Sequence, residues 1–92
     1  MKSQAAFTAV LNELNVATQL HGPFNSAHEG YAVIKEELDE LWDEIKLKRS
    51  ERNPVNLREE AVQVAAMAIR FLVDIAEDED INEDLSSGCL GS

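Results

Sequence analysis

Cysteine is almost missing from this chain: Cys89 is the only one, so no disulfide can close within it. Positive charge is scarce too. Eight Lys and Arg stand against 18 Asp and Glu, giving a formal charge of −10. Nucleic-acid polymers and anionic membranes are held by clustered basic side chains, so neither is an expected partner. An acidic chain can still accept a nucleotide that arrives as its magnesium complex. No apolar run approaches the roughly 20 residues of a membrane span, and Lys2 opens a polar turn rather than a secretory leader. The expected compartment is the cytoplasm. No strand alternation, internal repeat or domain linker is visible, and no G-x-x-x-x-G-K-[ST] loop is present, which excludes P-loop chemistry.

What is present is helical periodicity. Phe7, Val10, Leu11, Leu14, Ala17 and Thr18 recur at three- and four-residue spacing and predict an amphipathic first helix over about residues 4–20. His21-Gly22-Pro23 should stop it, Gly by positive φ and Pro by its missing N–H. Ser26-x-x-Glu29 has the form of a capping box, opening a second helix over about 27–49. Asn53-Pro54 breaks that helix, and Asn56 with Glu59 offers the cap of a third over about 57–77. Six acids crowd Glu77–Asp84, where at most a short helical turn is expected. The reading is an all-α bundle with two long antiparallel central helices, a single domain over 1–85 and a flexible tail over 86–92. With 92 residues and a third helix apolar nearly all round, a lone core would be marginal, so oligomerisation should complete it.

The second helix divides by angle. Tyr31, Ile34, Leu38, Leu41, Trp42 and Ile45 span about 100° and predict a core face. Glu29, Glu36, Glu40, Asp43 and Glu44 lie opposite, with Glu37 on the boundary beside Leu41. Such a run ordinarily makes a solvated acidic face. Here Glu36 and Glu37 both repel Glu40 across one turn, with only Lys35, Lys46 and Lys48 in the helix to relieve them. Glu60 is the sharper anomaly. It sits in a largely apolar stretch, and at about 100° per residue Val64, Met67 and Phe71 fall within roughly 40° of it. An ionised side chain there loses hydration worth on the order of several kcal/mol unless something compensates it. Carboxylates converging from two helices are most simply neutralised by a hard divalent cation.

Glu36-Glu37-x-x-Glu40, followed twenty residues later by Glu60 in an apolar helix, resembles the MazG-like all-α nucleotide pyrophosphohydrolases, whose pattern is E-E-x-x-E, a spacer, then E-x-x-D. The resemblance covers about residues 25–75. It implies a helical homodimer or homotetramer that uses Mg2+, with Mn2+ able to substitute, to cut a nucleoside triphosphate between its α- and β-phosphates, a house-cleaning role in the nucleotide pool. It also implies Glu37, Glu40 and Glu60 as metal ligands. The family's aspartate falls at Gln63, which offers a neutral carbonyl oxygen and one charge fewer. Glu36, outside the ligand set, is the candidate to orient or deprotonate the attacking water.

Other residues carry two readings each. Lys46, Lys48, Arg49 and Arg52 cluster at the turn after the second helix and serve either solubility or polyphosphate steering, Lys48 and Arg52 being the substrate-binding candidates. Arg58 and Arg70 share that ambiguity. His28 either packs at its helix start or reaches base or phosphate, and His21 meets a helix dipole. Tyr31 and Trp42 read as core, while Phe7 and Phe24 are candidates to shape a base pocket. The competing function is a non-catalytic helical oligomer or partner-binding module that kept the fold and lost the chemistry at Gln63; a metal-binding sensor without turnover is a third.

Overall fold

The computed structural model describes residues 1–76, and within them the chain is three helices with no strand. They are α1 (Ser3–Leu20), α2 (Ala27–Ile45) and α3 (Pro54–Asp74), with a single 3-10 turn at Arg49–Glu51 between the last two. The acidic Glu77–Asp84 segment, the tail over 86–92 and Cys89 lie outside the described residues. No helix is long and apolar enough to cross a membrane among them.

Local chemistry sets the boundaries. At the start of α2, Ser26 Oγ accepts from the Glu29 N–H at 3.1 Å, the capping bond the spacing predicts. The return bond lands one residue early, Glu29 Oε1 accepting from the Asn25 N–H at 2.6 Å. α1 ends on His21 in extended backbone at φ −131°, so no left-handed glycine terminates it and the expectation for Gly22 is corrected. α2 stops at Ile45, four residues short of the predicted 49, because Arg52 takes over its free carbonyls. The Arg52 Nη2 and Nε donate to Ile45 O at 2.6 and 3.0 Å, and Nε also reaches Leu47 O at 3.2 Å. α3 starts earlier than predicted. Its N-cap is Asn53, whose Oδ1 accepts from Val55 N at 2.8 Å and Asn56 N at 3.4 Å, with Pro54 in the first turn where no N–H is missed. Asn56 and Glu59 are therefore helical and play no capping part.

α3 is the element on which both others rest, and α1 and α2 make no close backbone approach to each other. The buried core is Ala17, Phe24, Ala66, Met67 and Ile75, with Val10, Leu14, Val33, Ile34 and Phe71 packed against it. Gly30 is what lets α2 close on α3: a Cβ there would lie 2.6 Å from Phe71 Cδ2 and 3.1 Å from Phe24 Cδ2. The expected core face of α2 is only partly inside. Ile34 and Leu41 are half-buried, while Tyr31 (63% exposed), Leu38 (49%) and Trp42 (57%) face solvent, Ile45 less so. The helix is rolled so that Val33, Ile34, Glu37, Leu41 and Glu44 face inward, because only a helix as thin as Gly30 allows can seat Phe24 and Phe71 beneath it. On α1, Phe7 and Leu11 are likewise outside, leaving Val10, Leu14 and Ala17 to pack inward.

Candidate functional site

The roll of α2 carries Glu37 against α3, where Glu60 waits one turn after Asn56. One carboxylate oxygen from each of Glu37, Glu40 and Glu60 lies within 4.8 Å of the others. Glu37 and Glu60 are half-buried and Glu40 is exposed. Neither Glu37 Oε1 nor Glu60 Oε1 meets water or any hydrogen-bond partner. A buried acceptor with nothing donating to it costs about 1–3 kcal/mol, more if charged. Desolvation first, and then the charges of Glu40 and Glu60, push the Glu37 carboxyl up from an ordinary 4.5 to about 7. Burial, with Glu40 next, also raises Glu60. Desolvation and mutual repulsion thus disfavour the ionised form of Glu37 and Glu60. Glu37, Glu40 and Glu60 are the residues that could hold a divalent cation, each offering one carboxylate oxygen.

Beside the cluster, the trough between α1 and α2 forms a cavity of about 770 Å³ floored by α3. Its apolar walls include Ala17 and Leu20 of α1, Phe24 of the α1–α2 loop, Val33 of α2 and Met67 of α3. Glu36, Glu37 and Gln63 line the end that adjoins the cluster, so the cavity and the carboxylates are continuous. Gln63 is half-buried and Glu36 exposed, neither belonging to the three-carboxylate group.

The far wall is the loop over residues 21–26, and α3 fastens it. Arg70, only 6% exposed, stacks its guanidinium 4.4 Å from the Phe24 ring centroid, donates to Gly22 O at 2.7 Å and reaches Met67 Sδ at 3.6 Å. One turn on, Asp74 Oδ2 accepts from the Phe24 N–H at 3.0 Å. The sequence leaves Arg70 a solubility or steering charge; nothing in a helical pattern distinguishes an arginine that folds back onto a loop 48 residues away.

Of the predicted metal and catalytic set, the structure groups Glu37, Glu40 and Glu60, while Glu36 and Gln63 line the adjoining cavity with Glu37. It does not bring the predicted substrate cations to them. Lys48 and His28 are exposed and line no part of the cavity, and Arg52 is engaged with the Ile45 and Leu47 carbonyls as a helix cap. Lys46 pairs with Asp43 at 3.0 Å instead. Phe24 does shape the cavity, whereas Phe7 is exposed and away from it, and Tyr31 and Trp42 are outside the core in which the sequence reading put them. Glu13 of α1 lines the cavity as well and has no sequence signal beyond being the single charge on its helix. No protein-family model matches the chain, and neither a curated protein nor a solved structure does.

Proposed function

We propose that this chain is a magnesium-dependent nucleoside triphosphate pyrophosphohydrolase, adding water across the α–β phosphoanhydride to release a monophosphate and pyrophosphate. The observation that carries the reading is the pair of orphaned buried oxygens, Glu37 Oε1 and Glu60 Oε1, inside a cluster of three carboxylates. No lysine or arginine pairs with them among the described residues, and a hard cation would relieve that cost. The MazG-like pattern of Glu36-Glu37-x-x-Glu40 and Glu60 supports the same ligand set. Magnesium bound there, or manganese in its place, supplies the positive charge that a polyphosphate and its leaving group require. Glu37, Glu40 and Glu60 would hold the ion, Gln63 would offer a neutral carbonyl oxygen beside them, and Glu36 would take the proton of the attacking water. The cavity takes the nucleoside, since its apolar walls suit a flat heteroaromatic ring and its polar side chains can meet the ring edge and sugar.

In this reading the chain works as a homodimer or homotetramer in the cytoplasm, with α2 and α3 as its antiparallel centre. Tyr31, Leu38, Trp42 and Ile45 form one stripe on the outer side of α2, an apolar surface that a second copy would cover. One observation favours a second reading, a non-catalytic helical oligomer or partner-binding module: Gln63 in place of the fourth acid.

Chromatography of the products separates them. Monophosphate plus pyrophosphate from a nucleotide panel with Mg2+ or Mn2+ is expected, diphosphate plus phosphate means other chemistry, and no product at all favours the module. Metal binding is read independently by melting temperature. Mg2+ at 100 times its Kd should add about 2.7 kcal/mol of stability, and Glu60→Gln should remove that gain while raising metal-free stability. An unchanged metal response in Glu60→Gln removes Glu60 from the ligand set.

A further inference from the structure

α1 is 18 residues long and carries one charge, Glu13. Hydration alone would set that carboxylate outward with Asn12, Asn15 and Gln19, all exposed. It is half-buried instead, one turn before the fully packed Ala17, and it lines the cavity between α1 and α2. No hydrogen bond or ion pair engages its carboxylate among the described residues, and it is not part of the Glu37–Glu40–Glu60 group.

The other charged groups on the cavity wall are already committed. Arg70 spends its guanidinium on Gly22 O, Met67 Sδ and the Phe24 face, and Glu29 accepts from the Asn25 N–H. Glu36 and Glu37 belong to the end that adjoins the carboxylate cluster. Among the acids of the wall, Glu13 is the one outside both the loop contact and the carboxylate end; His21, Asn25 and Gln63 line the cavity as well. An ionised carboxylate only accepts hydrogen bonds. Opposite an amino group it gains a charge-assisted bond, as acidic side chains do with the cytosine amino group. Opposite a carbonyl, two acceptors meet and both are stripped of water without compensation.

We propose that Glu13 is a specificity-determining residue that selects nucleotides whose base carries an exocyclic amino group over those with a carbonyl at the same position. The identity of the occupant as a nucleotide rests on the hydrolase reading; the preference rests on Glu13 and the cavity.

Deoxycytidine and deoxyuridine triphosphates are the matched pair, differing at C4, amino against carbonyl, and at N3, bare in cytosine and protonated in uracil. Their kcat/KM values with Mg2+, and the affinities of their non-hydrolysable α,β-methylene analogues by calorimetry, are compared in wild type and Glu13→Gln. Wild type should favour the cytosine nucleotide roughly 10- to 100-fold, the discrimination of one good polar pair. Glutamine presents both a carbonyl and an amide N–H₂, so Glu13→Gln should bring the two within about threefold of each other. The ratio is insensitive to a general loss of folded protein. Equal use of both nucleotides by wild type, or a preference unchanged in Glu13→Gln, overturns the proposal and leaves hydrolysis standing. Preferential binding of the cytosine analogue without turnover upholds the proposal and removes the hydrolase reading. No binding of either analogue overturns both.

Discussion

Two stripes of α2 invert the usual arrangement. The one turned toward α3 includes Glu37 and Glu44, half-buried, while the one turned to solvent holds Tyr31, Leu38 and Trp42. A helix that had only to fold would roll by about a quarter turn, burying its rings and hydrating more of its acids. Under the proposed function, two partners outside the isolated chain would make the arrangement favourable. On the inner stripe the need is for positive charge, because desolvated carboxylates face one another. On the outer stripe the need is for apolar cover. The inner stripe is thus the proposed chemistry, and the outer one the proposed contact between copies.

The largest effect should come from breaking the inner stripe. Glu37→Gln, Glu40→Gln and Glu60→Gln are each expected to cut pyrophosphate release by about 100-fold or more, since charge stabilisation at the phosphoryl group is most of such catalysis. Activity within a few-fold of wild type in all three would remove the cluster from the mechanism. Next comes the outer stripe. A Leu38→Glu, Trp42→Glu double variant should sediment as a monomer at micromolar concentrations where the wild type is dimeric or larger; a wild-type monomer would leave the stripe without its proposed partner. A third experiment sharpens the comparison through pH. Glu37 holds its proton to about pH 7 in the fold but releases it near 4.5 when unfolded, so the native state binds more protons in between. Metal-free stability from this group is therefore greatest at low pH and declines as pH rises from about 4.5 through 7. Melting curves of wild type minus Glu37→Gln should show that slope, and Mg2+ should oppose it by binding the deprotonated form. A smaller shift is expected from Gln63→Asp, which restores a fourth negative oxygen and should lower the Mg2+ concentration for half-maximal turnover several-fold, read by metal titration. Smallest of all, Arg52→Ala should lower stability by about 1 kcal/mol through loss of the carbonyl cap with kcat/KM unchanged; a selective rise in KM would instead return Arg52 to polyphosphate steering.

The helices were legible because apolar spacing of three and four residues is a local property, and so were Ser26 as a cap and Pro54 as a punctuation mark. Their ends were not. α2 is cut short by Arg52 reaching back seven residues, and α3 starts early because Pro54 fits its first turn, both matters of which hydrogen-bond partner wins. Of the site, Glu60 stood out because its neighbours at helical spacing are apolar. Glu13 and Arg70 did not, since the first lines the cavity only when α1 is set against the trough and the second meets its partners only when the loop folds under it.

Sequence alone determined an all-helical chain, its three segments and the pairing of an acidic run with one acid in an apolar helix, because each follows from local periodicity and charge. Which side of α2 faces inward was decided by tertiary contact. Gly30 admits Phe24 and Phe71 where any Cβ would collide, and that single close approach fixes the roll of the helix. The roll turns Glu37 in toward Glu60 and leaves Trp42 out, a choice no helical periodicity contains, because period fixes which residues share a face and only packing fixes where that face points.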